Sequence, residues 1–180
     1  MRIGISGTPG TGKTSISKGL SAILKIPHVD VSKSAIEMDW TTEYDNAKET
    51  SVIDLDRARQ ELSGMDDVII DVHYAELFDC DLIFIIRCSP DELYRRLSAR
   101  GYGREKVREN VLSEILDTCL INAIETMGSG RVFEIVSGDM EENIDLIVDI
   151  VRNGGQGREV GSRSSVHYLT PENLELLDRI

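Results

Sequence analysis

Apolar residues fall along this chain in two kinds of run. Asp67 to Val72 and Leu82 to Arg87 are short and nearly unbroken, as strands buried on both faces are. Arg2 to Ser6, Pro27 to Val31 and Val132 to Val136 add three more strand candidates, which makes five. Between them the pattern turns helical over Lys13 to Leu24 and over Asp54 to Ser63, where Gly64 closes the run. A short helical or irregular piece is expected through Met38. Ser89 and Pro90 open another helix as N-cap and first helical residue. Gly101 and Gly103 interrupt it, and one long helix is predicted from about Arg104 to Met127. A last helix, about Glu141 to Val151, carries Ile144, Ile147, Val148 and Val151 on one face. Residues 39–51 follow neither period and read as an exposed loop.

Strands alternating with helices predict an α/β fold: a five-stranded, mostly parallel sheet with helices on both faces. This pattern fills residues 1–152 and reads as one domain. Beyond it the composition shifts to Gly, Ser and Arg, so 153–180 reads as a flexible tail. Thr170-Pro171-Glu172 would start a short helix there, with Leu174, Leu176 and Leu177 as its apolar positions.

Composition narrows the classes. A net charge of −12 opposes broad non-specific binding to nucleic acid. No apolar run approaches the roughly 20 residues of a membrane span, and no signal peptide is seen at the start. Three cysteines without CxxC spacing read as reduced thiols, which points to a cytoplasmic protein. Positive charge is nevertheless concentrated: six of the 14 residues from Arg95 to Arg108 are basic, so a localised anion is expected nearby.

The anion has an evident seat. Gly7-Thr8-Pro9-Gly10-Thr11-Gly12-Lys13-Thr14 fits GxxxxGK[ST] between a strand and a helix. Gly10 and Gly12 let backbone N–H groups close on phosphate oxygens, aided by the helix dipole. Lys13 would place its charge at the β- and γ-phosphates of ATP, and the Thr14 hydroxyl would enter the shell of a magnesium ion. The second half of that site should be an acid at the end of a neighbouring buried strand. Asp71, after Val68-Ile69-Ile70, supplies it, although an acid there could also simply end a strand. His73 shares its face and could orient a water or a phosphate, or serve structure alone. A GTPase would need a guanine-reading Asn-Lys-x-Asp, which is absent. A small chain with a basic mobile segment points instead to a nucleotide or small-molecule kinase, whose lid excludes water.

Several segments in order resemble the adenylate kinase isoenzyme 6 family of archaea and eukaryotes. They are the phosphate loop at 7–14, Ile-Asp-Leu-Asp-Arg at 53–57, Ile-Ile-Asp-Val-His at 69–73, and Leu93-Tyr94-Arg95-Arg96-Leu97 leading into Arg100-Gly101-Tyr102. Glu109-Asn110 and Glu114-Ile115 complete the match, which covers about residues 1–152. The resemblance implies a nucleoside monophosphate (NMP) kinase-like fold with an NMP-binding segment at about 30–53 and a short lid at about 99–109. It implies phosphoryl transfer from ATP, with Mg2+, to AMP or another nucleoside monophosphate, and a weak ATPase. It also implies a part in small ribosomal subunit maturation, through a small-subunit ribosomal protein and pre-rRNA. Carried onto this chain, Gly10, Gly12, Lys13, Thr14 and Ser15 would bind ATP, with Arg100 reaching it from the lid. Asp71 and His73 would serve magnesium and water. The family carries Gly-Asp and, three residues after the aspartate, an arginine; here those positions are Ser32, Lys33 and Ile36. Lys33 and Arg57 are then the cations left for the acceptor phosphate.

Overall fold

The computed structural model describes residues 1–45, 50–155 and 166–180. In chain order it runs β1 (Arg2–Ser6), α1 (Lys13–Leu24), β2 (His28–Asp30), α2 (Val31–Glu37), β3 (Thr41–Asp45), β4 (Thr50–Ile53) and α3 (Leu55–Ser63). Then come β5 (Val68–Asp71), a 3-10 turn at Ala75–Phe78, β6 (Leu82–Arg87), α4 (Pro90–Ala99) and α5 (Arg104–Ile115). The chain ends with α6 (Thr118–Met127), β7 (Val132–Val136), α7 (Met140–Arg152) and α8 (Pro171–Arg179).

Five strands form one parallel sheet in the order β2-β5-β1-β6-β7. Period-two alternation divides its side chains between two cores. Ile83 and Ile85 of β6 face Val31, Ala58, Leu62, Phe78 and Ala123, beneath α2, α3 and α6. Phe84 and Ile86 face Ile16, Leu20, Ile144 and Ile147, beneath α1 and α7. Gly4 stands where a Cβ would come within 2.9 Å of Ile83, so β1 stays central only with glycine there. Most helix starts are capped from the sequence: Asp30, Asp54, Ser89, Asp139 and Thr170 each accept from the backbone three residues on.

Two expectations are corrected. The segment expected to be a loop at 39–51 holds the antiparallel pair β3–β4, with a shift in register between Thr41 and Glu43; residues 46–49 lie outside the described ones. Trp40 anchors it: it is buried, and its carbonyl accepts from Asp54 N at 2.7 Å. The long helix predicted from Arg104 to Met127 is two helices. Asp117 breaks it at φ 55, and its carboxylate turns onto Arg87. Leaving a buried guanidinium without one of its partners costs about 3–5 kcal/mol, more than the roughly 1–2 kcal/mol that a left-handed residue costs.

The end of the chain is partly docked. Tyr168, Leu176, Leu177 and Ile180 are buried with Leu93, Leu97, Val107, Val111 and Ile115 in a third apolar cluster over α4 and α5. Arg104 and Arg108 donate to the carbonyls of Arg179 and Leu177, each at 3.4 Å. Cations at the carboxyl end of α8 also suit its dipole.

Candidate active site

The loop from Gly7 to Gly12 joins β1 to α1, and its shape depends on glycine. Gly7 has φ +129, and a Cβ there would lie 2.4 Å from the Ile86 carbonyl oxygen. Gly10 has φ +99, and its Cβ would meet Leu97 and Leu93 at 2.8 and 2.9 Å. Gly12, at φ 109, precedes α1 and no side chain caps that helix, so its amino end faces the loop. Thr11 N and Thr11 Oγ1 donate to Thr8 O at 3.3 and 3.0 Å, which tightens the turn.

Lys13 bends back over this cradle. Its Nζ donates to Gly7 O at 2.7 Å and Thr8 O at 3.1 Å. Burial lowers its pKa, against the opposing charges of Asp71 and Glu114; the Arg100 cation pushes in the same direction as burial. Thus the structure brings Asp71 and Arg100 to the electrostatic neighbourhood of Lys13. Thr14 is half-buried and Ser15 exposed at the first turn of α1.

Asp71 ends β5 between β1 and β2 and is buried. Its Oδ2 lies 3.3 Å from His28 Nε2, a partner absent from the sequence-based site. The Thr14 hydroxyl and the Asp71 carboxylate are hard oxygen donors, and magnesium is bound this way, by one or two protein oxygens plus phosphates. No cluster of three or more His, Cys, Asp or Glu side chains suited to a metal occurs among the described residues. The donor set therefore fits a magnesium ion that shares its shell with a nucleotide, not one caged by protein.

Arg100 is the exposed C-cap of α4. One turn earlier Arg96 lies against the loop: its Nη1 is 3.2 Å from Thr11 O and 3.4 Å from Gly10 O, and its Nε is 2.9 Å from Glu92 Oε1. Of the remaining cations of the basic stretch, Lys106 stands over the Tyr102 ring at 4.9 Å.

Beside the loop opens a cleft of about 300 Å3, lined by Ser32, Ala35, Ile36, Thr41, Ile53, His73 and Tyr74. His73 sits at its edge. Its carbonyl accepts from Ser6 Oγ at 3.0 Å, and its ring meets Tyr74 edge-on, 4.4 Å between centroids. Lost hydration, then the Lys13 ammonium, push His73 down to about 4. We expect an NMR titration of the metal-free protein to place the imidazole midpoint well below 6.5, with no change of charge between pH 6 and 8. The unfolded chain gains this proton near 6.5 and the folded chain only near 4. Stability is therefore full above 6.5 and falls as acid is added across that window. The residue is more than a third exposed, so solvent screening keeps the loss small.

Lys33 and Arg57 stand apart from the cleft lining. Lys33 Nζ is 3.5 Å from Glu37 Oε1 and largely exposed, and Arg57 Nη1 donates to Asp39 O at 2.7 Å. Ile36, at the position of the family arginine, is 69% exposed on the cleft wall.

Beneath the loop lies a buried ionic group that the sequence reading did not foresee. Arg87 ends β6 and pairs with Glu114, at 2.8 Å, and with Asp117 and Glu134. Burial works against its charge, but these carboxylates prevail and hold its pKa above the usual arginine range. The available signal was one charged residue closing the apolar run Leu82–Ile86.

A central strand followed by a glycine cradle, an acid on the adjoining parallel strand and arginines from the following helix define an α/β P-loop fold of the kinase type. Solved structures agree on that fold. A shikimate kinase from Bacteroides thetaiotaomicron superposes with a TM-score of 0.59 at 19% identity, over 84% of this chain and 98% of the other. A deoxyadenosine kinase from M. mycoides gives 0.56 at 16% identity, over 85% and 100%. Residues 3–117 match the family model described as an AAA domain. Two archaeal relatives, each named "Putative adenylate kinase", align over nearly their whole lengths. The protein from Methanocaldococcus jannaschii is 35% identical over 180 positions, covering 96% of this chain and 99% of its own. That from Methanosarcina barkeri is 35% identical over 167, covering 87% and 90%. The chain belongs to this adenylate kinase-like family of P-loop proteins.

Proposed function

We propose that the protein is a nucleoside monophosphate kinase that transfers the γ-phosphoryl group of ATP to AMP, yielding two ADP. The observation that carries this reading is the position of His73. It belongs to the cleft lining and lies two residues beyond Asp71, so an acceptor in the cleft would adjoin a donor on the loop.

The chain's own groups act mainly by positioning and charge, as this reaction requires. Amides of the loop and the first turn of α1 hold the β-phosphate. Lys13 leaves the carbonyls of Gly7 and Thr8 for the β- and γ-oxygens, following charge as the β–γ bridge bond breaks. Thr14 and Asp71 would hold magnesium, which when bound neutralises phosphate charge. An oxygen of the acceptor phosphate forms the new P–O bond. Arg100 supplies compensating charge from the exposed end of α4, and the turn at 101–103 lets the start of α5 act as a short lid. Ser15 donates at the loop's outer edge. Neutral His73 orients a water or an acceptor oxygen and does not supply a cation. Lys33 and Arg57 are the described cations nearest in sequence to the cleft wall and would reach the acceptor phosphate only by leaving Glu37 and Asp39.

That last requirement favours a second reading. With Ile36 on the cleft wall and no lysine or arginine among the described residues of its lining, the same ATP site would serve an ATPase whose turnover releases a small-subunit ribosomal protein during rRNA processing. One assay separates the two: ADP formation from ATP and magnesium, with and without AMP. The kinase reading expects AMP to raise ADP formation well above the hydrolysis background. An unchanged rate refutes it, and nucleotide-sensitive capture of a small-subunit ribosomal protein would then support the ATPase.

A further inference from the structure

Thr8 occupies the second position of the phosphate loop and is 1% exposed. Its hydroxyl donates to Glu114 Oε2 at 2.5 Å, across 106 residues of chain. Its carbonyl accepts from Thr11 N, Thr11 Oγ1 and Lys13 Nζ. One residue therefore fixes both the inner turn of the loop and the resting place of the ammonium.

Glu114, 2% exposed, is held just as firmly from behind. Its Oε1 accepts from Arg87 Nε at 2.8 Å and from Cys88 N at 3.2 Å, while its own carbonyl accepts from Arg87 Nη2 at 3.2 Å. Arg87 is covered in turn by the Tyr168 ring, 5.1 Å from Cζ to centroid. A carboxylate that served only to neutralise Arg87 would have no reason to hold a loop hydroxyl, since Asp117 and Glu134 already pair with that cation. Each carboxylate oxygen of Glu114 has a separate task, one toward the sheet and one toward the loop.

We infer that Glu114 is a positioning residue for phosphate binding: through the Thr8 hydroxyl it sets the loop backbone, and with it the site from which Lys13 reaches a nucleotide. Glu114 lies on α5, the helix that begins at the lid turn, so the same bond ties the lid helix to the loop. The inference rests on the loop being the ATP site.

Replacing Thr8 tests it, because Thr8→Val removes the hydroxyl at nearly constant shape and leaves the Arg87–Glu114 pair intact. Titration calorimetry with ATP and magnesium is expected to show about tenfold weaker binding by Thr8→Val, because a loop that this bond orders in the free protein must then be ordered on binding. Thr8→Ser, which keeps the hydroxyl, should restore most of the affinity. Melting temperatures recorded alongside show whether the change comes from the loop or from the fold. A Thr8→Val protein that binds ATP within twofold of wild type overturns the inference, as does a serine variant as weak as the valine one. Thr8→Ala carries the same comparison if the valine variant does not fold. Wild-type protein that fails to bind ATP with magnesium would overturn the nucleotide-site reading, and this inference with it.

Discussion

Lys13→Ala is expected to lower ATP-dependent phosphoryl transfer by about 10²- to 10³-fold, the range for losing one preorganised donor to transition-state charge. The half-buried ammonium is the only side-chain cation hydrogen-bonded to both Gly7 and Thr8 among the described residues. Arg96 cannot stand in for it, because its guanidinium is engaged with Glu92 and with the outer carbonyls of the loop. Lys13→Arg should rescue little: a planar fork is larger and more rigid than the compact ammonium that fits between two carbonyls. Circular dichroism of the alanine variant should remain native, since Thr8 O keeps its bonds from Thr11 N and Thr11 Oγ1 and Lys13 belongs to none of the three apolar clusters. Steady-state ADP production is the measurement, and a variant keeping more than about a tenth of wild-type turnover would contradict the role given to Lys13.

Arg87→Met carries the largest expected effect on stability. The guanidinium is fully buried and pairs with three carboxylates, Glu114, Asp117 and Glu134. Methionine fills much of the volume but leaves those acids facing one another without their cation. Removing one partner of a buried ion pair costs about 3–5 kcal/mol, a large share of the roughly 5–15 kcal/mol that holds a domain together. Urea unfolding should show a loss of that size in the free energy extrapolated to water, seen as a lower midpoint at unchanged slope. A loss below about 1 kcal/mol would mean that desolvation already cancels the attraction in the native protein. Tyr168 would lose its cation in the same variant, so the docked end of the chain should also become easier to cleave with protease.

How much of this was legible beforehand depends on where each signal lies along the chain. The limits of β1, β6 and β7 could be read because buried parallel strands are apolar on both faces and need no partner to be recognised. The phosphate loop could be read because its chemistry is local: glycines, a lysine and a threonine within eight positions. The break at Asp117 could not. No glycine or proline marks it, and its cause is Arg87, thirty positions earlier. The β3–β4 pair lacks alternation because its hydrogen bonds are made within the pair and Trp40 supplies the buried anchor. His28 beside Asp71 and Glu114 beneath Thr8 follow from strand order and helix docking, which fix distances that spacing alone leaves open.

The way Lys13 rests on Gly7 and Thr8 bears on how a nucleotide would be received. Its four-carbon stem is ordered by contacts within the chain, so the rotamer freedom of a long cationic side chain is given up when the protein folds. Docking a triphosphate then swaps acceptors for one ammonium group, with little further ordering of the loop. Such an exchange should be quick and leave a small conformational trace, which places any slow rearrangement of the proposed cycle outside the loop.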